Sequence, residues 1–128
     1  MSSDISIKSK LLLIEDNLDA RAALEIIIDM AGFEVVAAGS VEEGLHHARQ
    51  IRFDVLLSDV ALPDGSGHEL MKELKAAGDA PYAIAMSGYG AKKDVAESLA
   101  AGFSHHLIKP FELAALENLL ETARRSLR

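Results

Sequence analysis

The chain contains no cysteine, which excludes disulfide bonds, thiolate zinc sites and cysteine nucleophiles. It also lacks any uninterrupted apolar run near the roughly 18 residues that a membrane-spanning helix needs. Its first residues, Met1 to Lys8, do not have the charged and apolar regions of a signal peptide. These absences are typical of a cytoplasmic protein with no membrane contact, and that is the location we expect.

Basic residues are outnumbered, with 13 Lys and Arg against 20 Asp and Glu, for a formal net charge of −7. This balance argues against attraction to nucleic-acid phosphates, so we expect no nucleic-acid binding by this chain alone. The basic residues at the carboxyl end, Arg124, Arg125 and Arg128, suit the last turn of a helix. A length of 128 residues with 49% hydrophobic composition fits one domain with a single core.

Short apolar runs alternate with helical patterns along the whole chain. The runs lie at 11–14, 33–38, 54–59, 82–87 and 106–108, and helical patterns follow them at about 24–31, 40–50, 66–77, 91–101 and 113–123. Continuous apolar runs are typical of strands buried on both faces of a parallel sheet. About five strand–helix repeats predict an α/β fold with helices on both faces, because such crossovers are right-handed.

Local signals place several helix ends. The spacing of Ser40 and Glu43, and again of Ser66 and Glu69, predicts capping boxes that open two helices. Glycine follows three of the helical patterns, at Gly32, Gly78 and Gly102, and predicts that those helices stop there. Asp64 is most simply a turn residue in a Pro-Asp-Gly loop.

Four of the five predicted strands end in polar residues, at Glu15–Asp16, Asp59, Ser87 and Lys109. In open α/β sheets ligands bind outside the carboxyl ends of the strands, where these side chains would meet. Clustered carboxylates repel and must bind protons or a cation, and oxygen ligands select Mg²⁺, Mn²⁺ or Ca²⁺, with few carboxylates favouring Mg²⁺. Carboxylates, a metal, an ammonium and a hydroxyl together indicate phosphoryl transfer.

Four segments carry a resemblance to a known family: residues 13–17 (LIEDN), 57–65 (LSDVALPDG), 86–88 (MSG) and 108–111 (IKPF). In this order and on these strands they closely resemble the receiver domain of bacterial two-component response regulators, of the chemotaxis-regulator kind. The resemblance covers about residues 10–120. It implies a flavodoxin-like, doubly wound, five-stranded parallel sheet of order 2-1-3-4-5, and a single domain at 10–128 after a short extension at 1–9.

The resemblance also implies a role for each site residue. Asp59 would be the phosphoacceptor, taking a phosphoryl group from a phosphohistidine or a small donor such as acetyl phosphate. Asp16, Asp59 and the backbone carbonyl of Ala61 would bind Mg²⁺, or alternatively Mn²⁺, while Glu15 would act mostly through water. Lys109 would neutralise charge on the transferring group. The chain would then be a signalling switch that catalyses only its own phosphorylation and dephosphorylation.

The resemblance to the receiver family also implies which residues would move on phosphorylation. Ser87 matches the hydroxyl that moves to the attached phosphoryl group, and Lys109–Pro110 matches a cis peptide bond that aims the lysine inward. His106 departs from the family, which usually has Tyr, Phe or Thr there, so its inward state would depend less on apolar burial and more on pH. Ala61 and Tyr89 cannot readily position a hydrolytic water, which predicts slow self-hydrolysis.

The implied partners are a sensor histidine kinase or histidine phosphotransfer protein, a downstream output domain or protein, and a second copy in a phosphorylation-dependent dimer. One alternative is a degenerate receiver that acts only as an interaction module. A haloacid-dehalogenase-type phosphatase would need a second Asp two residues after a nucleophile on the first strand, where this chain has Glu15, Asp16 and Asn17. A flavin-binding domain fits poorly, because the acidic first loop would repel a flavin phosphate.

Five histidines raise the question of a zinc site. His46 and His47 are adjacent on a predicted helix, and His105 and His106 are adjacent near a strand, so the members of each pair point in different directions. We therefore expect no zinc site. His68 is expected to be exposed near the start of the third helix.

Overall fold

The computed structural model describes residues 8–88 and 92–127, and strands alternate with helices along them as predicted. The strands are β1 (Lys10–Ile14), β2 (Glu34–Ala38), β3 (Val55–Asp59), β4 (Ala61–Leu62), β5 (Gly65–Ser66), β6 (Tyr82–Ser87) and β7 (His105–Ile108). The helices are α1 (Leu18–Met30), α2 (Val41–Gln50), α3 (Gly67–Ala76), α4 (Lys92–Ala101) and α5 (Leu113–Ser126). Position 91, which the sequence pattern assigned to the fourth helix, lies outside the described residues, as does most of the predicted extension at 1–9.

The main sheet has five parallel strands in the order β2-β1-β3-β6-β7. Numbered by these strands alone, the order is 2-1-3-4-5, so the predicted flavodoxin-like topology is confirmed. The order reverses between β1 and β3, which makes the carboxyl ends of these two strands the expected ligand site. None of the described helices is long and apolar enough to cross a lipid bilayer.

Alternate residues of the central strands face two separate halves of the core. In β1, Leu12 and Ile14 pack with Leu70 on the face covered by α2, α3 and α4. Leu11 and Leu13 belong to the other cluster, which includes residues of α1 and α5. Side chains of a strand alternate between faces, and both faces are covered here, so β1 and β3 must be apolar almost throughout. A rigid, dry sheet therefore supports the polar residues at its carboxyl edge.

The helix ends follow the predicted signals closely. The Ser40 hydroxyl accepts a hydrogen bond from the Glu43 backbone N–H, and the Ser66 hydroxyl accepts one from Glu69. The Glu43 carboxylate does not complete a reciprocal box with Ser40, because it accepts its bond from the Gly39 N–H instead, at 2.7 Å. After α1, Gly32 has a φ of +96°, a conformation that favours glycine at a helix end.

A short hairpin of β4 and β5, which the sequence analysis did not predict, follows β3. Its closing residue Asp64 is more than a turn residue. The Asp64 carboxylate accepts bonds from the backbone N–H groups of Val41 and Glu42 at 2.8 and 2.9 Å, and so caps α2 from a distant part of the chain. These bonds lower the pKa of Asp64. The hairpin is thus fastened to α2 immediately after the site-bearing strand.

Candidate functional site

Three carboxylates converge at the carboxyl ends of β1 and β3. Glu15, Asp16 and Asp59 each offer an oxygen atom, and these atoms lie within 4.8 Å of one another. Glu15 and Asp59 are buried, with 1% and 7% of their surface exposed, whereas Asp16 is exposed. The predicted convergence of the two acidic strand ends is present, and it leaves one side of the cluster open to ligands from solvent.

Lys109 enters this cluster from the end of β7. Its ammonium Nζ lies 2.7 Å from Glu15 Oε1 and 2.7 Å from Asp59 Oδ2. Burial alone would lower the pKa of Lys109, but the hydrogen bonds and charges of Asp59 and Glu15 outweigh it and raise the pKa above 10.5. The Lys109–Pro110 peptide bond is cis, the form that the resemblance implied. The ammonium is therefore firmly charged and faces the acidic edge.

Several hydrogen bonds and one close packing contact fix the segment around Asp59. The Ala61 N–H donates to Asp59 Oδ1 at 3.3 Å, and the Ser58 hydroxyl donates to the Asp59 carbonyl at 2.9 Å. The Val60 N–H donates to the Met86 carbonyl of β6 at 2.8 Å.

Gly67 lies against this segment so closely that an added Cβ would collide with the Asp59 carbonyl and would lie 2.8 Å from Ser58 Oγ. The carboxylate of Asp59 is consequently presented by a fixed frame.

The donor set fits a hard divalent cation. Three carboxylates meet one ammonium here, so the cluster keeps an excess of negative charge that a cation would relieve. The clustered donors are all carboxylate oxygens, which is the chemistry that Mg²⁺ and Mn²⁺ prefer. Glu15 binds Lys109 directly, while Asp16 is exposed and positioned to reach a cation.

Ser87 and His106 lie in direct contact beside this cluster. Ser87 Oγ is 2.7 Å from His106 Nε2, so the two residues that the sequence assigned to switching are joined by a hydrogen bond. His106 Nδ1 in turn lies 2.8 Å from the hydroxyl of Ser98 on α4. Ser98 was not predicted as a site residue, because nothing in the sequence pattern around it reveals that this polar side chain is fully buried.

His68 is not exposed, and that expectation was wrong. Only 9% of its surface is accessible, and its Nε2 lies 2.8 Å from Ser98 Oγ. Its ring also meets Phe103 edge-on, with the ring centroids 6.1 Å apart. The first turn of α3 packs against α4, which the sequence pattern of either helix alone does not indicate. Burial lowers the pKa of His68, and burial likewise lowers the pKa of His106.

Among the described residues, the one cluster of potential metal ligands is Glu15, Asp16 and Asp59, and no histidine belongs to it. His105 instead bonds to the Tyr82 hydroxyl at 2.7 Å. Tyr89, which the sequence analysis linked to slow hydrolysis, lies outside the described residues.

Comparison with known proteins agrees with the geometry. The family model of the response regulator receiver domain matches residues 11–121. Among curated proteins, the transcriptional activator protein PfeR of Pseudomonas aeruginosa is 35% identical over 127 residues, covering 98% of this chain and 41% of that protein. The two-component response regulator PhoP of the same organism is 32% identical over 116 residues, covering 91% of this chain and 52% of that protein.

A solved structure, the chemotaxis response regulator CheY4 of Vibrio cholerae, superposes with a TM-score of 0.84 at 27% identity, covering 91% of this chain and 99% of that one. The curated relatives are longer: this chain spans about half the length, or less, of PfeR and PhoP. Fold, acidic cluster and family match all agree, and the chain belongs to the response regulator receiver domain family.

Proposed function

We propose that this receiver domain accepts a phosphoryl group on Asp59 from the phosphohistidine of a sensor histidine kinase or histidine phosphotransfer protein, in a Mg²⁺-dependent reaction. The observation that carries the proposal is the position of Lys109. Its ammonium lies 2.7 Å from both Asp59 and Glu15, within a carboxylate cluster that retains excess negative charge. The functional unit would be residues 10–128, with 1–9 as an extension.

Asp16, Asp59 and the Ala61 carbonyl are the proposed ligands of the cation, and Glu15 is the proposed outer partner. When bound, Mg²⁺ would supply positive charge against the oxygens of Asp59 and of the incoming phosphoryl group. The exposure of Asp16 supports this division, because it leaves a ligand at the solvent side. Mn²⁺ is the alternative cation for the same donor set.

In the proposed step, a carboxylate oxygen of Asp59 forms a bond to phosphorus while the bond from phosphorus to the donor's leaving group breaks. The leaving imidazole retains the electron pair and takes up a proton, and Asp59 becomes an acyl phosphate. Lys109 binds phosphoryl oxygens that replace part of its contact with Asp59. Its raised pKa supports this role, since the ammonium stays charged at neutral pH.

Ser87 is the proposed switch hydroxyl, which would turn toward the phosphoryl group, and His106 would respond to that movement. The existing contact of 2.7 Å between them supports this link. The product would alter a surface that binds an output domain, an output protein or a second copy of the chain, in the cytoplasm. We also propose slow self-hydrolysis, because Ala61 carries no group that could position a water molecule.

The proposal is tested by incubating the protein with labelled acetyl phosphate and Mg²⁺. Wild type should acquire an acid-stable label that is lost in hydroxylamine, and Asp59→Asn should acquire none. Asp54→Asn is the matched control: Asp54 lies just before the opposite end of the same strand and accepts the Lys10 N–H at 2.9 Å, a bond that asparagine can keep. Label on Asp59→Asn would assign the phosphoryl group to another residue and contradict phosphoacceptance by Asp59. No label on wild type with either Mg²⁺ or Mn²⁺ would favour a degenerate receiver that acts only as an interaction module.

A further inference from the structure

Beyond the acidic cluster, the structure contains a continuous chain of hydrogen bonds that starts at Ser87 and ends on α3. Ser87 Oγ contacts His106 Nε2 at 2.7 Å, His106 Nδ1 contacts Ser98 Oγ at 2.8 Å, and Ser98 Oγ contacts His68 Nε2 at 2.8 Å. We call these four residues the relay. Its members come from β6, β7, α4 and α3, and Ser98 is fully buried.

The relay has a direction, because each contact holds one hydrogen. A neutral imidazole has one N–H and one lone pair, and a serine has one O–H. Two arrangements use every donor and acceptor in the three contacts. In the outward arrangement Ser87 donates to His106, His106 donates to Ser98 and Ser98 donates to His68. In the inward arrangement every bond is reversed, and His106 donates to Ser87.

The two arrangements differ in whether the Ser87 hydroxyl donates to His106 or accepts from it. In the outward one the Ser87 hydroxyl hydrogen is used on His106. In the inward one Ser87 accepts from His106, and its own O–H can donate to a phosphoryl oxygen beside Asp59. Capture of a phosphoryl group by Ser87 therefore matches the inward direction, whose first donor is His68 Nε2–H.

The surroundings of His68 bias this choice. Its Nδ1 faces Glu97 Oε2 at 4.0 Å, so a neutral ring gains by carrying its hydrogen on Nδ1, which sets the outward arrangement. A protonated ring carries hydrogen on both nitrogens, so it faces Glu97 and still donates to Ser98, which sets the inward arrangement. Proton uptake at His68 and hydrogen bonding of Ser87 to a phosphoryl group then favour each other.

We propose that His68 is a positioning residue for the Ser87 hydroxyl, acting through Ser98 and His106, and that capture of the phosphoryl group is accompanied by proton uptake at His68. This rests on the proposed function of Asp59 and Ser87. The inference assigns α3 a part in the switch that the acidic cluster alone does not give it.

Several charged groups act on the two rings. His68 is influenced by Glu97 and Asp94 of α4, Lys72 of α3 and His106 of β7, and His106 by Asp94. Burial, followed by the charges of His106 and Lys72, lowers the pKa of His68, while the charges of Glu97 and Asp94 raise it. The net shift of the pKa is downward. In the resting protein the ring is thus held in the neutral form, and the phosphorylated state is expected to draw its pKa upward.

The test is imidazole nitrogen NMR on histidine-labelled protein, free and loaded with Mg²⁺ and beryllofluoride, from about pH 5 to about pH 8, where histidine titrates. In the free protein both His68 and His106 should carry hydrogen on Nδ1 at neutral pH. Loading should move the hydrogen of His106 to Nε2 and raise the pKa of His68. In Ser98→Ala, loading should leave the pKa of His68 where it was.

A binding measurement gives a second readout. As pH falls, the affinity of wild type for beryllofluoride should rise relative to that of His68→Gln by about fivefold, the size of one net hydrogen bond. His46→Gln, an exposed histidine on α2, is the matched control and should follow wild type. If His68→Gln does not fold, the comparison is made with Ser98→Ala, which interrupts the same relay.

The outcomes separate the two proposals. If beryllofluoride binds wild type but both rings keep their hydrogens and their pKa values, the role of His68 is overturned and phosphoacceptance by Asp59 stands. An affinity ratio that does not change with pH has the same meaning. If wild type does not bind beryllofluoride with Mg²⁺ at all, the proposed function fails, and the inference fails with it.

Discussion

Two polar systems meet near the carboxyl edge of the sheet, and they are built on different principles. The acidic cluster with Lys109 is made of full charges at the ends of strands, and its members attract or repel one another whatever the positions of their hydrogens. The relay that runs from Ser87 to His68 is made of groups that are neutral in the resting protein, and its two states differ in the direction of its hydrogens and in the proton on His68. The charged system is suited to binding an anion and a cation. The relay is suited to coupling that binding to a change at His68 on α3.

The largest effect should come from removing the ammonium of Lys109 from the charged system. Lys109→Met keeps the length of the side chain but leaves buried Glu15 and Asp59 without their ammonium. We expect the rate of Asp59 phosphorylation by acetyl phosphate to fall roughly 100-fold, the effect typical of losing one electrostatic stabiliser of a transition state. Stopped-flow or quench measurements of the phosphorylation rate would check this.

Lys10→Met is the control for Lys109→Met, because Lys10 makes a more exposed ion pair with Glu34 at 3.6 Å. Its phosphorylation rate should match wild type. Equal rates in Lys109→Met and wild type would mean that the charged system does not work by charge and does not differ from the relay in this respect.

A smaller effect should follow from disturbing the frame that holds Asp59. In Gly67→Ala the new methyl group would press against the Asp59 carbonyl, which is backbone and cannot swing away. We expect a loss of about 1 to 3 kcal/mol in the free energy of unfolding, as for other overpacked sites, measured by urea denaturation. In Gly88→Ala the Cβ would meet no heavy atom of the described residues within 4 Å, so the stability of this variant should stay near wild type. Equal losses in the two variants would show that the close approach at Gly67 is not what matters.

The smallest effect belongs to the neutral system and depends on pH. The pKa of His68 is lowered in the folded protein, so the unfolded chain binds more protons as pH drops below the ordinary value of 6.5. The contribution of neutral His68 to stability is thus complete above pH 6.5 and is lost as pH falls through the lower, folded pKa. His68→Gln should reduce this pH dependence in urea titrations, while His46→Gln should keep it. An unchanged slope in His68→Gln would indicate that its ring titrates as freely as an exposed one.

The same contrast explains what the sequence could predict. The charged residues follow continuous apolar runs, and parallel strands bring their carboxyl ends together, so Glu15, Asp16, Asp59 and Lys109 could be assigned to one edge before any coordinates were considered. The helix starts at Ser40 and Ser66 could be predicted for a similar reason, because a cap is a local pattern.

The relay could not be predicted in this way. Ser98 and His68 lie 30 positions apart on two helices, and their contact depends on how α3 packs against α4. The hydrogen bonds that Asp64 accepts from α2 likewise span more than 20 positions. They depend on the β4–β5 hairpin, which the residue spacing in the loop does not predict. Contacts between elements depend on tertiary packing, so His68 was assigned to the surface and Asp64 to an ordinary turn.

The switch proposed for this domain requires that Asp59 become an acyl phosphate, and one measurement tests that directly. The protein is incubated with Mg²⁺ and acetyl phosphate, reduced with borohydride to convert an aspartyl phosphate to homoserine, digested and sequenced by mass spectrometry. We predict homoserine at position 59 and unmodified aspartate at 16, 54 and 64. Homoserine at another of these positions, or at none, would contradict the account.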